Sequence, residues 1–345
     1  MSITLLANAK INPTLRVLGR RADGFHELAT TMLALDLGDV VSVMTSGPER
    51  AGVIDASVRG ELASADIPTD GSNLAVRGAL LGRDAAGSTE GLSVQVIKNV
   101  PSRAGLGGGS ADAAAAARAA VVELGEQDAC LDGRLGELGS DCAFFQAARR
   151  TGAALALGRG EEILPLEGPR GWWVALLTPE VECSTPAVYA ALEAEPLDAG
   201  TLYAGAPDAV ASDAGASDAG APDTGAAAPS RGWRMRAESE ARALFELSAL
   251  EARAALVNDL EPAARAAVPG LEPWFALLEA EAAAHFRLAG SGSSFFGLFE
   301  DEASARETLE RLEARAGGQG LGTRLSLVTR PAGSALTTVT GVDLG

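Results

Sequence analysis

A glycine-rich segment at residues 101–112 constrains the fold of this chain more than any other feature. It reads Pro-Ser-Arg-Ala-Gly-Leu-Gly-Gly-Gly-Ser-Ala-Asp. The apolar residues 92–97 before it predict a strand, and the alanine-rich residues 111–124 after it predict a helix. Glycines let a backbone approach a ligand, and free N–H groups at the start of a helix attract phosphate. This context favours a phosphate-binding loop over a simple flexible turn.

The glycine spacing argues against two common nucleotide-binding motifs. The segment does not follow the P-loop pattern G-x-x-x-x-G-K-[ST]. A dinucleotide-dependent oxidoreductase would carry its glycine loop in the first strand-to-helix turn, near the N-terminus, where this sequence has none. Both classes of protein therefore fit poorly.

The length of 345 residues predicts about two domains. Apolar runs bounded by Gly, Pro and Asp predict strands at 3–7, 40–44, 92–97, 153–157, 286–289, 294–299 and 325–329. Helical periodicity after residue 229 predicts helices at 237–256, 273–284 and 302–316. Both halves mix helices and strands, so the residues alone predict a two-domain protein of mixed α and β structure.

Residues 198–229 form a low-complexity insert. They are almost entirely Ala, Gly, Asp, Pro, Ser and Thr, with tandem units at 211–215, 216–220 and 221–225. Such a composition lacks the apolar side chains that offset the entropy of ordering. We expect a flexible surface loop with no chemistry of its own.

Composition narrows the classes of partner and cofactor. No apolar run approaches the roughly 20 residues of a membrane span, and the opening residues lack the basic segment and cleavage site of a secretory signal peptide, so a cytoplasmic protein is expected. The formal net charge of -18 disfavours nucleic acid. Cys130, Cys142 and Cys183 lack metal-site spacing, and with only 2 histidines we expect no disulfide framework, no zinc site and no His-based metal centre. No segment indicates a protein partner.

Six further segments, in order with the glycine loop, carry a resemblance to a known family. They lie at 9–12, 19–28, 138–145, 158–162, 258–261 and 290–293. Together they resemble the GHMP kinase superfamily, which includes galactokinase, homoserine kinase and mevalonate kinase. The run Arg-Ala-Asp-Gly-Phe-His at 21–26 is similar to the motif of those members that phosphorylate a cytidylylated methylerythritol. The resemblance spans nearly the whole chain apart from the insert.

The resemblance implies a two-domain GHMP kinase fold. A ribosomal-protein-S5-domain-2-like ATP-binding domain is expected at 1–168, and a ferredoxin-like domain at 172–345 that contains the insert. The implied reaction moves the γ-phosphoryl group of ATP to the 2-hydroxyl of a cytidine diphosphate derivative of methylerythritol, in non-mevalonate isoprenoid (terpenoid) precursor synthesis. Mg²⁺ is expected to shield the phosphates.

The resemblance also implies roles for individual residues. Lys10 and Asp141 are the expected catalytic pair: the aspartate accepts the hydroxyl proton and the lysine stabilises charge. The expected ATP-binding residues are Asn73, Lys98, Pro101, Ala104, Gly105, Leu106, Gly107, Gly108, Gly109 and Ser110. Asn73 and Lys98 match positions near the adenosine portion of the nucleotide. The expected substrate-binding residues are Asn12, Phe25, His26, Thr185 and Tyr189. His26 would read the edge of cytosine while Phe25 and Tyr189 stack on its faces.

Three positions depart from the commoner family pattern. Phe25 replaces a tyrosine, Ala289 stands where serine or threonine is common, and Ala111 leaves Ser110 as the only loop hydroxyl near phosphate or Mg²⁺. Taken singly, each proposed site residue also has a purely structural interpretation, such as a helix cap for Asp141 or core packing for Tyr189. Two other functions remain open. Another GHMP kinase is disfavoured by the proposed cytosine clamp, and a non-catalytic binding protein by the retained catalytic pair.

Overall fold

The structure is a computed structural model that describes residues 2–21, 23–47, 51–127, 129–192, 231–281, 283 and 285–339. The expected flexible insert at 198–229 therefore lies outside the described residues. Searching the described part for a helix long and apolar enough to cross a membrane finds none.

The strands of the described part form two sheets. Their bounds are β1 (Ile3–Arg20), β2 (His26–Gly47), β3 (Ile54–Arg59), β4 (Gly91–Ile97), β5 (Gly152–Gly158), β6 (Glu162–Glu167), β7 (Trp173–Pro179), β8 (Val257–Asn258), β9 (Arg287–Leu288), β10 (Phe295–Phe299), β11 (Thr323–Thr329) and β12 (Leu336–Thr338). The helices are α1 (Leu74–Ala85), α2 (Gly108–Glu123), α3 (Ser140–Ala147), α4 (Thr185–Leu192), α5 (Arg231–Glu246), α6 (Ala249–Ala252), α7 (Glu261–Ala267), α8 (Glu272–Ala280) and α9 (Glu302–Gly318).

The larger sheet has eight strands and is built around β1 and β2. Its main order is β12-β1-β2-β4-β3, while β5 pairs with the first part of β2 and with β6, and β8 runs parallel to β1. The smaller sheet has the order β11-β7-β10-β9. Because β8 and β12 come late in the sequence but pair with β1, both halves of the chain contribute to the larger sheet. The domain division at 168–172 stays a prediction.

Strands β1 and β2 extend far beyond the predicted runs at 3–7 and 40–44, with 18 and 22 residues. Ala9 and Ile11 on one face of β1 enter the core between the sheets. Lys10 and Asn12 lie on the opposite face, where they are also buried. Polar residues on a buried face break the apolar pattern that marks a strand, so the sequence reveals only part of each strand.

In the second half of the chain, some predicted helices and strands are confirmed and one predicted helix is wrong. Helix α9 and strands β10 and β11 confirm the predictions at 302–316, 294–299 and 325–329. The single helix predicted at 237–256 is wrong, because Ser248 starts a new helix there. Its side chain accepts a hydrogen bond from the Glu251 backbone N–H, and the Glu251 side chain accepts one from Ser248 in return.

Helices α1 and α2 cover one face of the larger sheet and pack unusually close together. Backbone of α2 at Ala113 and Ala117 faces Gly78 and Gly82 of α1. Every residue from Ala113 to Ala117 is fully buried. The small side chains on both helices permit this approach, and α2 begins at the predicted phosphate loop. The position of that loop therefore depends on the contact between α1 and α2.

Substituting Gly78 by Ala should destabilise the protein by about 1–3 kcal/mol, because the new Cβ would overlap the Ala113 carbonyl oxygen. Gly317→Ala is the matched control, since Gly317 also lies in a helix but has no atom near its Cβ position. That change should stabilise by up to about 1 kcal/mol. Urea unfolding of both variants measures the difference. Equal effects would show that the contact between the helices does not limit residue size at position 78.

Candidate active site

All the predicted site residues line one cleft of about 1000 Å³. They are Lys10, Asn12, Phe25, His26, Asn73, Lys98, Pro101, Ala104, Gly105, Leu106, Gly107, Gly108, Gly109, Ser110, Asp141, Thr185 and Tyr189. These residues come from β1, the turn after it, the glycine loop and the starts of α1, α3 and α4. The fold thus brings the predicted residues together from sequence positions as far apart as 10 and 189.

The glycine loop presents the start of α2 to this cleft. Gly107 precedes the helix with φ 72°, and the Ala111 N–H donates to its carbonyl oxygen. The N–H groups of Gly108, Gly109 and Ser110 lie in the first turn, where a helix provides no backbone acceptor. Gly105 has φ 76° and lies so close to the Ala289 carbonyl that a side chain would overlap it. The loop therefore has the geometry of an anion-binding site.

The predicted catalytic pair meets beside this loop. Lys10 Nζ lies 3.4 Å from Asp141 Oδ2, 2.8 Å from Asn12 Oδ1 and 2.9 Å from the Gly105 carbonyl oxygen. The Lys10 side chain is 5% exposed and that of Asp141 36% exposed. Asp141 stands in the first turn of α3, where the helix dipole favours its negative charge. A buried ammonium next to an accessible carboxylate can support removal of a proton from a substrate hydroxyl.

A chain of hydrogen bonds orients Asn12 towards Lys10. The Thr30 hydroxyl donates to the Thr14 carbonyl oxygen at 2.7 Å, and Asn12 Nδ2 donates to Thr30 Oγ1 at 2.9 Å. Since the Thr30 oxygen must accept from Asn12, the Asn12 carbonyl oxygen faces the ammonium, which can only donate. Both polar atoms of Asn12 thus have partners within the protein. Its predicted contact with substrate stays a prediction.

A second glycine turn closes the other side of the Lys10 pocket. Gly290 has φ 55°, and a side chain there would lie 3.2 Å from Lys10 Nζ. Asn258 holds this turn by donating from Nδ2 to the carbonyl oxygens of Leu288 and Gly290, at 2.8 and 2.7 Å. Glu261 accepts from the Leu288 N–H at 2.8 Å. The segment at 258–261 therefore positions the turn.

The residues predicted to recognise a base lie at one end of the cleft. The ring centroids of His26 and Tyr189 are 5.3 Å apart, with a 38° angle between the planes. Phe25 is 55% exposed, and the guanidinium of Arg159 lies 4.9 Å from its ring centroid. Burial, with a smaller contribution from the charge of Asp141, raises the pKa of the Tyr189 hydroxyl. These groups can offer a planar ligand an aromatic surface and a hydrogen-bonding edge.

Two more predicted residues, Thr185 and Asn73, form side-chain hydrogen bonds within the protein. Thr185 and Tyr189 are four residues apart on α4 and share its face towards the cleft. The Thr185 hydroxyl lies 2.7 Å from that of Ser291 in the second glycine turn. Asn73 caps α1 by accepting from the Ala75 N–H and donates to the Pro68 carbonyl oxygen. Their ligand contacts stay predictions.

Lys98 has two acidic partners that were not predicted from the sequence. Its ammonium donates to Asp39 and, at 2.8 Å, to Asp112. Burial alone would lower the pKa of Lys98, but the charges of Asp112 and Asp39 outweigh it and raise the pKa. Burial and the charge of Asp39 raise the pKa of Asp112, while the charge of Lys98 lowers it. Lys98 thus already forms a buried ion pair within the protein, and its predicted contact with adenosine stays a prediction.

Three buried polar residues that support the site, Thr30, Asp39 and Asp112, were not predicted from the sequence. One signal was available for Asp112, which is the sole charged residue in the otherwise apolar run 111–117 of a buried helix. Charged residues are rarely buried unless paired, so such a position suggests a partner. Thr30 and Asp39 lie in β2 and depend on strand register, which the sequence did not reveal.

Comparison with known proteins identifies the family. Residues 73–143 match the GHMP kinases N terminal domain, and residues 239–318 match the GHMP kinases C terminal domain. A 4-diphosphocytidyl-2-C-methyl-D-erythritol kinase of Heliobacterium modesticaldum is 42% identical over 195 residues, covering 56% of this chain and 59% of the relative. The kinase of the same name from Parvibaculum lavamentivorans is 34% identical over 315 residues, covering 90% of this chain and 94% of the relative. This chain belongs to the 4-diphosphocytidyl-2-C-methyl-D-erythritol kinase family.

Solved structures agree with this membership. A crystal structure of 4-(cytidine 5'-diphospho)-2C-methyl-D-erythritol kinase has a TM-score of 0.64 at 29% identity, covering 96% of this chain and 100% of that one. Homoserine kinase from Cytophaga hutchinsonii has a TM-score of 0.67 at 17% identity, covering 98% and 97%, and shows the common fold. The predicted GHMP kinase fold and the predicted class of enzyme, a small-molecule kinase, are confirmed.

In this member of the 4-diphosphocytidyl-2-C-methyl-D-erythritol kinase family, Thr30→Val should reduce stability by about 1–3 kcal/mol and lower kcat. The change leaves the buried Asn12 amide N–H without its acceptor and frees Asn12 to turn away from Lys10. Thr30→Ser keeps the hydroxyl and is the matched control. Urea unfolding and turnover of both variants measure the effect. If valine and serine behave alike, the hydrogen-bond chain does not orient Asn12.

Proposed function

We propose that this chain transfers the γ-phosphoryl group of ATP to the 2-hydroxyl of 4-diphosphocytidyl-2-C-methyl-D-erythritol. The observation that carries the proposal is the Lys10–Asp141 pair beside the glycine loop, within a chain that is 34% identical to a kinase of that name over nearly its full length. The product would enter non-mevalonate isoprenoid precursor synthesis. The cytoplasmic location expected from the sequence stays a prediction.

In the proposed reaction Asp141 is the proton acceptor. The 2-hydroxyl oxygen forms a bond to the γ-phosphorus as the bond to the β-phosphate oxygen breaks, the proton passes to the Asp141 carboxylate, and ADP leaves. Lys10, held 3.4 Å from Asp141, keeps that carboxylate oriented and stabilises charge that develops on the transferring group. Positioning and charge stabilisation account for most of the catalysis in phosphoryl transfer.

The start of α2 is the proposed phosphate site. Its first-turn N–H groups and helix dipole favour the negative charge of the nucleotide. The region described in the structure contains no group of three His, Cys, Asp or Glu side chains that could hold a metal ion. Of the loop residues, Ser110 has the hydroxyl that would lie near a Mg²⁺ ion carried by the ATP phosphates. When bound, the ion would neutralise phosphate charge.

A coupled assay of ADP release tests the acceptor. The cytidylylated methylerythritol should be phosphorylated at a kcat/KM at least about 100-fold above that of homoserine or mevalonate, because a site that hydrogen-bonds one ligand rejects analogues that leave its polar groups unpaired. Comparable rates with homoserine or mevalonate would assign the chain to another GHMP activity. ADP release with none of the three acceptors would contradict this kinase function.

Asp141→Asn should lower kcat by about 100-fold or more, because an amide does not accept the hydroxyl proton. Nucleotide binding should change little, whereas thermal stability should fall, because the buried Lys10 ammonium loses its carboxylate partner. Turnover measured by ADP release, with ATP affinity measured by calorimetry, tests this expectation. Near-normal turnover would remove Asp141 from the base role, and lost ATP affinity would make it a binding residue.

Tyr189→Ala should weaken binding of the cytidylylated substrate by about 1–3 kcal/mol, the usual cost of one base-stacking partner. ATP affinity should change little, which calorimetry with each ligand can check. His26→Ala should reduce the preference for the cytidine over the uridine form of the substrate, because it removes a hydrogen-bonding edge. Parent-like binding and turnover by both variants would exclude a cytosine site formed by these residues.

A further inference from the structure

Lysine stands at only two positions in the 345-residue chain, 10 and 98, and the other 26 of the 28 basic residues are arginine. Both lysine side chains are buried and both line the cleft. An ammonium is a compact charge with three donors, whereas a guanidinium is a larger planar group. A chain that uses arginine almost everywhere else thus keeps lysine at two confined positions. At position 10, the close partners of the ammonium explain why a lysine is present.

The partners of Lys98 connect the two ends of the phosphate loop. Lys98 follows β4, directly before the loop, and its ammonium binds Asp112 in α2, directly after the loop. Its second partner, Asp39 of β2, also accepts from the N–H groups of Asn99 and Val100, at 2.6 and 2.8 Å. One ammonium and one carboxylate therefore tie the entrance of the loop, its exit and the sheet together.

Because these three side chains are buried, losing any one of the contacts is energetically costly. The side chains of Lys98, Asp39 and Asp112 are 4%, 0% and 8% exposed. A buried charge that loses its partner is strongly unfavourable, so each group holds the others in place. With two carboxylates on it, the Lys98 ammonium has at most one donor left for a ligand.

We propose that Lys98 is a positioning residue for the phosphate loop, acting through Asp39 and Asp112 to fix the first turn of α2 without contacting the nucleotide. This inference rests on the proposed function of the loop as the ATP phosphate site. In this proposal Lys98 does not recognise adenosine directly. Instead, it fixes the position of the backbone N–H groups that would face the phosphates.

Two variants distinguish positioning from direct contact. Lys98→Met and Asp39→Asn should each weaken binding of a non-hydrolysable ATP analogue by about tenfold or more, because small displacements of binding groups are costly. The double variant should be no weaker than the worse single one, since both changes break the same connection. Binding of the cytidylylated substrate should stay within about twofold. The control is Asp36→Asn, which removes the same negative charge at an exposed position of β2. This variant should bind like the parent.

A second test measures the unmodified protein directly and needs a variant only to assign its two lysine signals. Labelling with ¹⁵N-lysine gives side-chain Nζ signals from Lys10 and Lys98 alone, and the spectrum of Lys98→Arg assigns them. Adding the ATP analogue should shift the Lys10 signal clearly and the Lys98 signal much less. A Lys98 shift as large as that of Lys10 would overturn the positioning role.

The outcomes separate this inference from the proposed function. If the parent protein binds the ATP analogue but Asp39→Asn binds it equally well, positioning through Asp39 fails while the kinase assignment stands. If the double variant loses affinity in proportion to the sum of both changes, Lys98 acts independently of Asp39, and the proposal fails again. If the parent does not bind the analogue, the proposed function fails first and the positioning role fails with it.

Discussion

One buried ammonium joins the chain segments that form the cleft. Lys10 belongs to β1, donates to the Gly105 carbonyl oxygen of the phosphate loop and pairs with Asp141 of α3. With Asn12 as a further acceptor, the ammonium donates two hydrogen bonds and has one ion-pair partner. Loss of any one acceptor would leave a buried positive charge less compensated. The strand, the loop and the helix are therefore coupled through a single group.

That coupling requires a rigid strand pair, which polar contacts within the sheet supply. The Thr14 N–H and hydroxyl both contact the Thr31 hydroxyl, at 2.9 and 2.8 Å. Thr30 adds the bond that orients Asn12. Buried polar groups stabilise a structure only when they are paired, and a fully paired set also restricts side chains to one arrangement. The register between β1 and β2 thus determines where the Lys10 ammonium lies.

The sequence predicted the local elements of this site better than the connections between them. The strand and helix around the glycine loop follow from residue pattern, and β4 and α2 lie close to their predicted bounds. The buried network of Lys98, Asp39 and Asp112 did not follow, because Asp39 meets Lys98 only through strand register across 59 positions. The break within residues 237–256 did have a local signal, the capping-box pattern Ser248-x-x-Glu251, but the helical period of the segment concealed it. Resemblance to a family supplied residue roles but not these supporting contacts.

The charge distribution explains why the geometry of the loop is so important. A formal net charge of -18 opposes the approach of a nucleotide and of a second diphosphate ligand. The cleft includes Lys10, Lys98, Arg103 and Arg159, but carboxylates contact both lysines, and Arg103 lies 3.3 Å from Glu182. Exposed charges are screened beyond about 10 Å at 0.1 M salt, whereas short contacts inside the cleft are not. In the proposed phosphate site, attraction would therefore depend mainly on backbone N–H groups, which act only when the loop is held in one conformation.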